Sequence, residues 1–433
     1  LRKLALPQPN RASMHPIGLI ILIFIVLDAI IGLVADILNL RSMKTRLPEA
    51  FQGWYAPGKY AQAQLYLRTN TRFSWMVGVF NLLILLMFWF GGGFAWMDRW
   101  VRAMDLHAIF SGILYIGILL ALKALLAFPF NIYGTFVIEE RFGFNQTTWR
   151  TYLQDRIKGL MLAVVLGVPL LTAILAFFQY AGDNAWWYCW MAVTAYMLIV
   201  QFVAPTWIMP LFNRFDPLPE GELRQAIVDY ARRIDFKLND IFVMDGSKRS
   251  SKSNAFFTGF GRNRRIVLFD TLIDRHSVDE LLAVLAHEMG HYREKHIIKS
   301  LGIGIVQSGV MFYILSVFIS YAGLFEAFYV EDVSIYAGLV FFGMLYAPLD
   351  SLMGLVLLAM SRRHEYAADR FAVQTSGKGE AMIAALKKLS VHNLSNLQPH
   401  PLYVSLNYSH PPVLKRIEAI EKLVSSPDTP AKL

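Results

Sequence analysis

The chain has 433 residues, 55% hydrophobic, 14% aromatic and 17% charged, with a mean hydropathy of +0.42. Soluble domains carry about a quarter charged residues, so this balance excludes an ordinary soluble domain and indicates a membrane protein. The net charge of +9 reads as Lys and Arg gathered in cytoplasmic loops, with no nucleic-acid partner. The single cysteine, Cys189, excludes an internal disulfide or a thiolate cluster.

In chain order, seven apolar stretches near residues 16–40, 74–97, 107–133, 159–181, 186–212, 300–324 and 334–360 reach the roughly 20 residues that cross a bilayer. The first follows Arg2, Lys3 and Arg11 but contains Asp28 and Asp36 and lacks a small-residue cleavage site, so it reads as a retained helix. The 41–73 and 134–158 loops, the 213–299 segment and the chain after 360 are rich in Lys and Arg. Segments 182–185 and 325–333 contain neither. This asymmetry predicts an N-terminus outside, a C-terminus in the cytosol and the 213–299 segment on the cytosolic side. Asp28, Asp36, Asn81, Lys123, Gln201, Gln307 and Asp350 fall within spans, where ionisable groups avoid lipid and face a hydrated interior.

The expected division is residues 1–212 (five spans), 213–299 (a cytosolic segment), 300–360 (two spans) and 361–433 (a second cytosolic segment). Within 213–299 an amphipathic helix is predicted over 220–236. Two short strands are predicted, Asp240–Met244 and Arg265–Phe269, β-branched and apolar. Ser277-Val278-Asp279-Glu280 has the form of a capping box. It opens a helix whose buried face is Leu281, Leu282, Val284 and Leu285.

That helix carries His287-Glu288-Met289-Gly290-His291. Residues i and i+4 share a helix face, so the two imidazoles can bind one metal, with Glu288 placed to take a proton from the attacking water. Gly290 permits close backbone approach. His276 and His296 read as surface residues. A catalytic zinc needs a third protein ligand. Arg362-Arg363-His364-Glu365-Tyr366-Ala367-Ala368-Asp369, emerging from the last span, offers Glu365 or His364, and Asp369 could hold a ligand imidazole by its second nitrogen. A channel, receptor or scaffold with an accidental motif is the reading from another class.

These residues resemble the signature of the integral-membrane type I CAAX prenyl endopeptidases, which are gluzincins. The likeness takes in His287–His291 and Glu365–Asp369. It also takes in Val137–Asn145, Pro210–Leu218, Asp245–Phe257, Ile266–Leu272 and Ser409-His410-Pro411-Pro412. It implies a mainly α fold: seven tilted helices around a large hydrated chamber, capped by a zinc protease domain with a short β-hairpin. It implies one Zn2+ held by His287, His291 and Glu365, Glu288 as general base, and Asp369 orienting a ligand. His410 would stabilise the oxyanion, and Asn254, Ala255 and Phe256 would bind substrate as an added strand. The implied substrates are C-terminal segments of prenylated or membrane-associated proteins. The tail, Thr429-Pro-Ala-Lys-Leu433, shows no dilysine or KDEL-type address. That favours a bacterial cytoplasmic membrane over the endoplasmic reticulum, where the same chemistry would serve quality control of membrane proteins.

Overall fold

The computed structural model describes residues 14–238, 240–258 and 265–425. The basic residues ahead of the first span and the tail after 425 lie outside these, so the expectations built on them rest on sequence alone.

The membrane part is formed by α1 (Pro16–Arg41), α2 (Lys59–Phe90), a short α3 (Gly93–Arg102), α4 (Ala108–Tyr133), α5 (Trp149–Tyr180) and α6 (Ala185–Val203). The helical path of α4 runs on to Glu139, and that of α6 to Leu211. α2 and α5 begin well ahead of the expected 74 and 159. Hydropathy marks only the lipid-contacting part of a helix, while backbone hydrogen bonding carries it on into polar sequence.

The 213–299 segment holds β1 (Phe215–Pro217), α7 (Glu222–Arg233), β2 (Asp240–Met244), β3 (Ala255–Thr258), β4 (Arg265–Phe269), α8 (Asp270–Ile273) and α9 (Val278–Arg293). Then follow α10 (His296–Phe318), α11 (Ala322–Glu326), α12 (Ile335–Ser376), α13 (Gly379–His392), α14 (Pro401–Asn407) and α15 (Val413–Ser425). α12 is one helix of 42 residues, so the last span and the segment carrying Glu365 are continuous through residue 360. It ends at Gly377, whose φ of +67° is the left-handed conformation that stops a helix.

Among the described residues, seven helices are long and apolar enough to cross a membrane. They close a ring: α1 touches α2, α4 touches α5, α5 touches α6, α6 touches α10, α10 touches α12, and α12 returns to α1. The α2–α4 step is made by Phe73 and Phe80 against Phe130. Only 6% to 17% of the most apolar window of each span is buried. A tightly packed bundle would bury more, so the closed ring is hollow over part of its length, with one face toward lipid and the other toward an inner space, while α12 also meets α4 and α5. Its end remote from α9 is plugged by aromatic rings, with Phe328 stacked on Phe341 at 4.1 Å and on Trp89 at 4.8 Å.

Among the described residues the strands form one sheet, ordered β1-β2-β4-β3. The two strands legible in the sequence, β2 and β4, pair in parallel. The hairpin is β3 with β4. Ile241, Ile266 and Leu268 of the sheet pack with Ile227 and Tyr230 of α7 and with Leu281, Leu285 and Met289 of α9.

The sheet is stitched to the ring by the 245–254 loop. Arg249 makes a two-pronged salt bridge to Asp155 of α5, at 2.7 and 2.9 Å. Lys252 donates to Glu139 and to Tyr66 at 2.9 Å each. Ser251 N donates to Phe144 O at 3.0 Å.

Candidate metal centre

Ser277 caps α9 as the sequence predicts: its hydroxyl accepts from Glu280 N at 3.3 Å, and Glu280 accepts from Ser277 N at 2.8 Å. Leu281, Leu282 and Leu285 are buried and Val284 packs beside them. With that face committed to the sheet, His287 and His291 turn toward α12. The two helices approach closely because position 290 is glycine. A Cβ there would sit 3.1 Å from Ala368 Cα and 3.2 Å from Ala368 O.

The approach brings together side chains that lie far apart in sequence. His287 Nε2 and His291 Nε2 are 3.1 Å apart. Glu365 places one carboxylate oxygen 3.2 Å from His291 Nε2 and the other 3.5 Å from His287 Nε2. Zinc ligands at 2.0–2.1 Å in a tetrahedron are separated by about 3.3 Å, and these three separations bracket that value. Glu365 Oε2 is buried and makes no hydrogen bond within the described protein. A buried carboxylate facing two imidazole nitrogens, with one oxygen that accepts no hydrogen bond and has Arg416 only at 3.4 Å, suits a cation. The donor set of two nitrogens and one carboxylate suits zinc. His364, the other ligand candidate, stacks instead on His296, with ring centres 3.9 Å apart.

Asp369 lies one turn beyond Glu365 and sets its Oδ1 2.8 Å from His287 Nδ1. Burial by itself would push the His287 imidazole down, but Asp369 and Glu365 outweigh it and hold the group up at about 9. Arg416 of α15 backs the carboxylates. It donates to Asp369 at 2.6 and 2.8 Å and lies 3.4 Å from Glu365. Burial pushes the Glu288 carboxyl up, against the pull of the two imidazoles. His410 puts Nε2 3.4 Å from Glu365 while 62% of its side chain is exposed. Ser409 Oγ lies 2.8 Å from its other nitrogen.

Asn254 is exposed at the start of β3, an edge strand of the sheet that also touches α9. Phe269 N donates to Asn254 O at 3.1 Å, so in this antiparallel register Phe256 also faces β4. Ala255 and Phe257 therefore present backbone groups to the open edge, and Asn254 Oδ1 already accepts from Ala255 N at 2.9 Å.

Three positions differ from the sequence reading. The sequence does not mark Arg416, because an arginine in an amphipathic C-terminal helix has the pattern of a solvated face until the fold buries it. His276 and His296 are buried, not at the surface. His276 Nδ1 is 2.9 Å from Leu272 O, and His296 Nδ1 is 2.9 Å from His291 Nδ1. Both sit at helix junctions whose direction only tertiary packing sets.

Residues 36–214 match a family model described as CAAX prenyl protease N-terminal, five membrane helices, and residues 217–424 match that of peptidase family M48. The chain is 33% identical over 406 residues to CAAX prenyl protease 1 of Saccharomyces cerevisiae, covering 87% of this chain and 89% of that one. It is 33% identical over 412 residues to a CAAX prenyl protease 1 homolog of Oryza sativa, at 93% and 96% coverage. The human homolog is 31% identical over 414 residues, at 84% and 86%. The crystal structure of S. mikatae Ste24p superposes with a TM-score of 0.86 at 32% identity, covering 94% of this chain and 99% of that one.

Proposed function

Because this chain belongs to peptidase family M48, in its branch of CAAX prenyl proteases with membrane-embedded N-terminal helices, we propose that it is a zinc endopeptidase cutting near the C-terminus of prenylated, membrane-associated proteins. The observation that carries the zinc reading is the convergence of His287 Nε2, His291 Nε2 and the two Glu365 carboxylate oxygens, at separations of 3.1, 3.2 and 3.5 Å. Bound there, zinc supplies a Lewis acid and lowers the pKa of the attacking water.

The chain's own residues supply the rest. Asp369 accepts from His287 and fixes its tautomer, and Arg416 holds Asp369 in place. Glu288 takes the water's proton and delivers it to the leaving amine. His410, with Ser409 on its Nδ1, presents Nε2 as a donor to the developing oxyanion. Substrate adds as a strand along β3, pairing with Ala255 and Phe257, while Asn254 and Phe256 shape the start of that edge. The hollow ring gives the lipid-bearing end of the substrate a place beside the bilayer.

The distribution of Lys and Arg supports a cytosolic position for the protease segments, 213–299 and 361–433. The bacterial membrane and the quality-control role draw on the tail, outside the described residues, and no structural feature favours them. The relatives named above are eukaryotic, which weighs toward a eukaryotic internal membrane. Membership of a peptidase family sets aside the channel or scaffold reading.

The test is purified protein offered a farnesylated C-terminal peptide and its unprenylated twin. We expect about one zinc per chain and cleavage of the farnesylated peptide in preference to the other. In Glu288→Gln, zinc should stay and turnover fall by at least 10²-fold. Full activity in that variant would overturn the mechanism, and equal cleavage of the two peptides would overturn the prenyl preference alone.

A further inference from the structure

His291 has a partner on the nitrogen that faces away from the centre. Its Nδ1 lies 2.9 Å from Nδ1 of His296. His296 is 5% exposed, so this contact is made out of solvent. The chain reaches it by an unusual route. Lys295, with φ +57°, sits in the left-handed region that side chains other than glycine rarely adopt, and it separates α9 from α10. That turn makes His296 the first residue of α10 and directs it back at α9. Its ring lies flat on His364, 3.9 Å between centres and 12° between planes, and His364 immediately precedes Glu365 on α12.

Two imidazole nitrogens at this separation share one hydrogen. His291 Nε2 faces His287 and Glu365, and a ligand nitrogen bears no hydrogen, so His291 Nδ1 carries it. His296 Nδ1 must then accept, which fixes His296 as the neutral tautomer with its hydrogen on Nε2.

We propose that His296 is a positioning residue for His291. It accepts from the second metal ligand and is braced by the stacked His364, so the orientation of His291 is tied to the helix that brings Glu365. This rests on the reading that His287, His291 and Glu365 hold zinc. The two imidazole ligands are consequently unequal. His287 is held by a carboxylate, which raises its basicity, and His291 by a neutral ring, which orients it without adding negative charge. The centre thus has one charged and one neutral outer partner.

The test compares His296→Phe, which keeps an aromatic ring on His364 but has no acceptor, with His296→Asn, which restores an acceptor at about the same reach. Zinc affinity is measured on the full-length protein by chelator competition, beside the melting temperature of the zinc-free form. H296F should bind zinc 10- to 100-fold more weakly, with the zinc-free melting temperature unchanged, and H296N should recover most of the loss. Wild-type affinity in H296F, or an H296N as weak as H296F, overturns the proposal. If H296F does not fold, His296→Leu against H296N makes the same comparison. Wild-type protein that takes up no zinc instead overturns the zinc reading itself.

Discussion

Around His287 three charged groups meet, all buried: the imidazole, the Asp369 carboxylate and the Arg416 guanidinium, whose nitrogen lies 2.6 Å from Asp369 Oδ1 and 3.4 Å from His287 Nδ1. Without metal, the raised His287, at about 9, keeps a proton at neutral pH. Zinc must displace that proton, so uptake near pH 7 should release one and affinity should climb as pH rises toward 9. Calorimetry in buffers of different ionisation enthalpy reads the released proton directly; a buffer-independent heat would contradict this. Replacing Arg416 by Met leaves two buried carboxylates with only the His287 imidazolium to balance them, an imbalance of the kind that costs about 3–5 kcal/mol when a buried pair is broken. Because zinc brings positive charge back to the same place, the loss of melting temperature should be larger in zinc-free than in zinc-loaded R416M. Arg416→Lys should rescue only part of it, since a lysine cannot make the two-pronged contact with Asp369.

At the level of elements, the centre exists because α9 and α12 touch. Gly290 costs helix propensity, roughly 1 kcal/mol relative to alanine, yet a methyl group there meets Ala368 backbone atoms at 3.1 and 3.2 Å. Backbone cannot yield as a side chain can, and overpacking of this kind costs about 1–3 kcal/mol. Gly290→Ala should therefore part the helices slightly, lower the melting temperature and weaken zinc binding; unchanged zinc affinity would show that the contact does not set the ligand triangle. The strap between sheet and ring is a second such element. Asp155→Ala should free Arg249 from α5 and raise KM more than it lowers kcat, because β3 would be held less firmly while the ligands keep their own support from α12.

Across the whole molecule, the ring sets which side of the membrane the centre faces. Lys248 is exposed beside the protease sheet, and Glu331 is exposed at the plugged end. Cys189 is buried and supplies a quiet background. Single cysteines at 248 and 331 should react with a membrane-impermeant thiol reagent from opposite sides, 248 from the cytosolic one. Labelling of both from one side would contradict the ring as a membrane-crossing unit.

The seven spans, the capped helix and the pair of imidazoles on it were legible in the sequence because each depends on neighbours a few residues away. Runs of apolar side chains, Ser277 with Glu280, and His287 with His291 are local patterns with fixed periods. Spacing offered Asp369 and left the third ligand open between Glu365 and His364; the resemblance to a known family chose Glu365 and added His410. Tertiary structure decided the parallel pairing of β2 with β4, the burial of Arg416, and the turn at Lys295 that carries His296 to His291. Those contacts join residues whose sequence distance holds no period, and their energy appears only once α9, α12 and α15 have excluded water from the charges between them. The sequence by itself therefore determined which side chains could bind a metal, and the packing of three helices decided how those side chains are held.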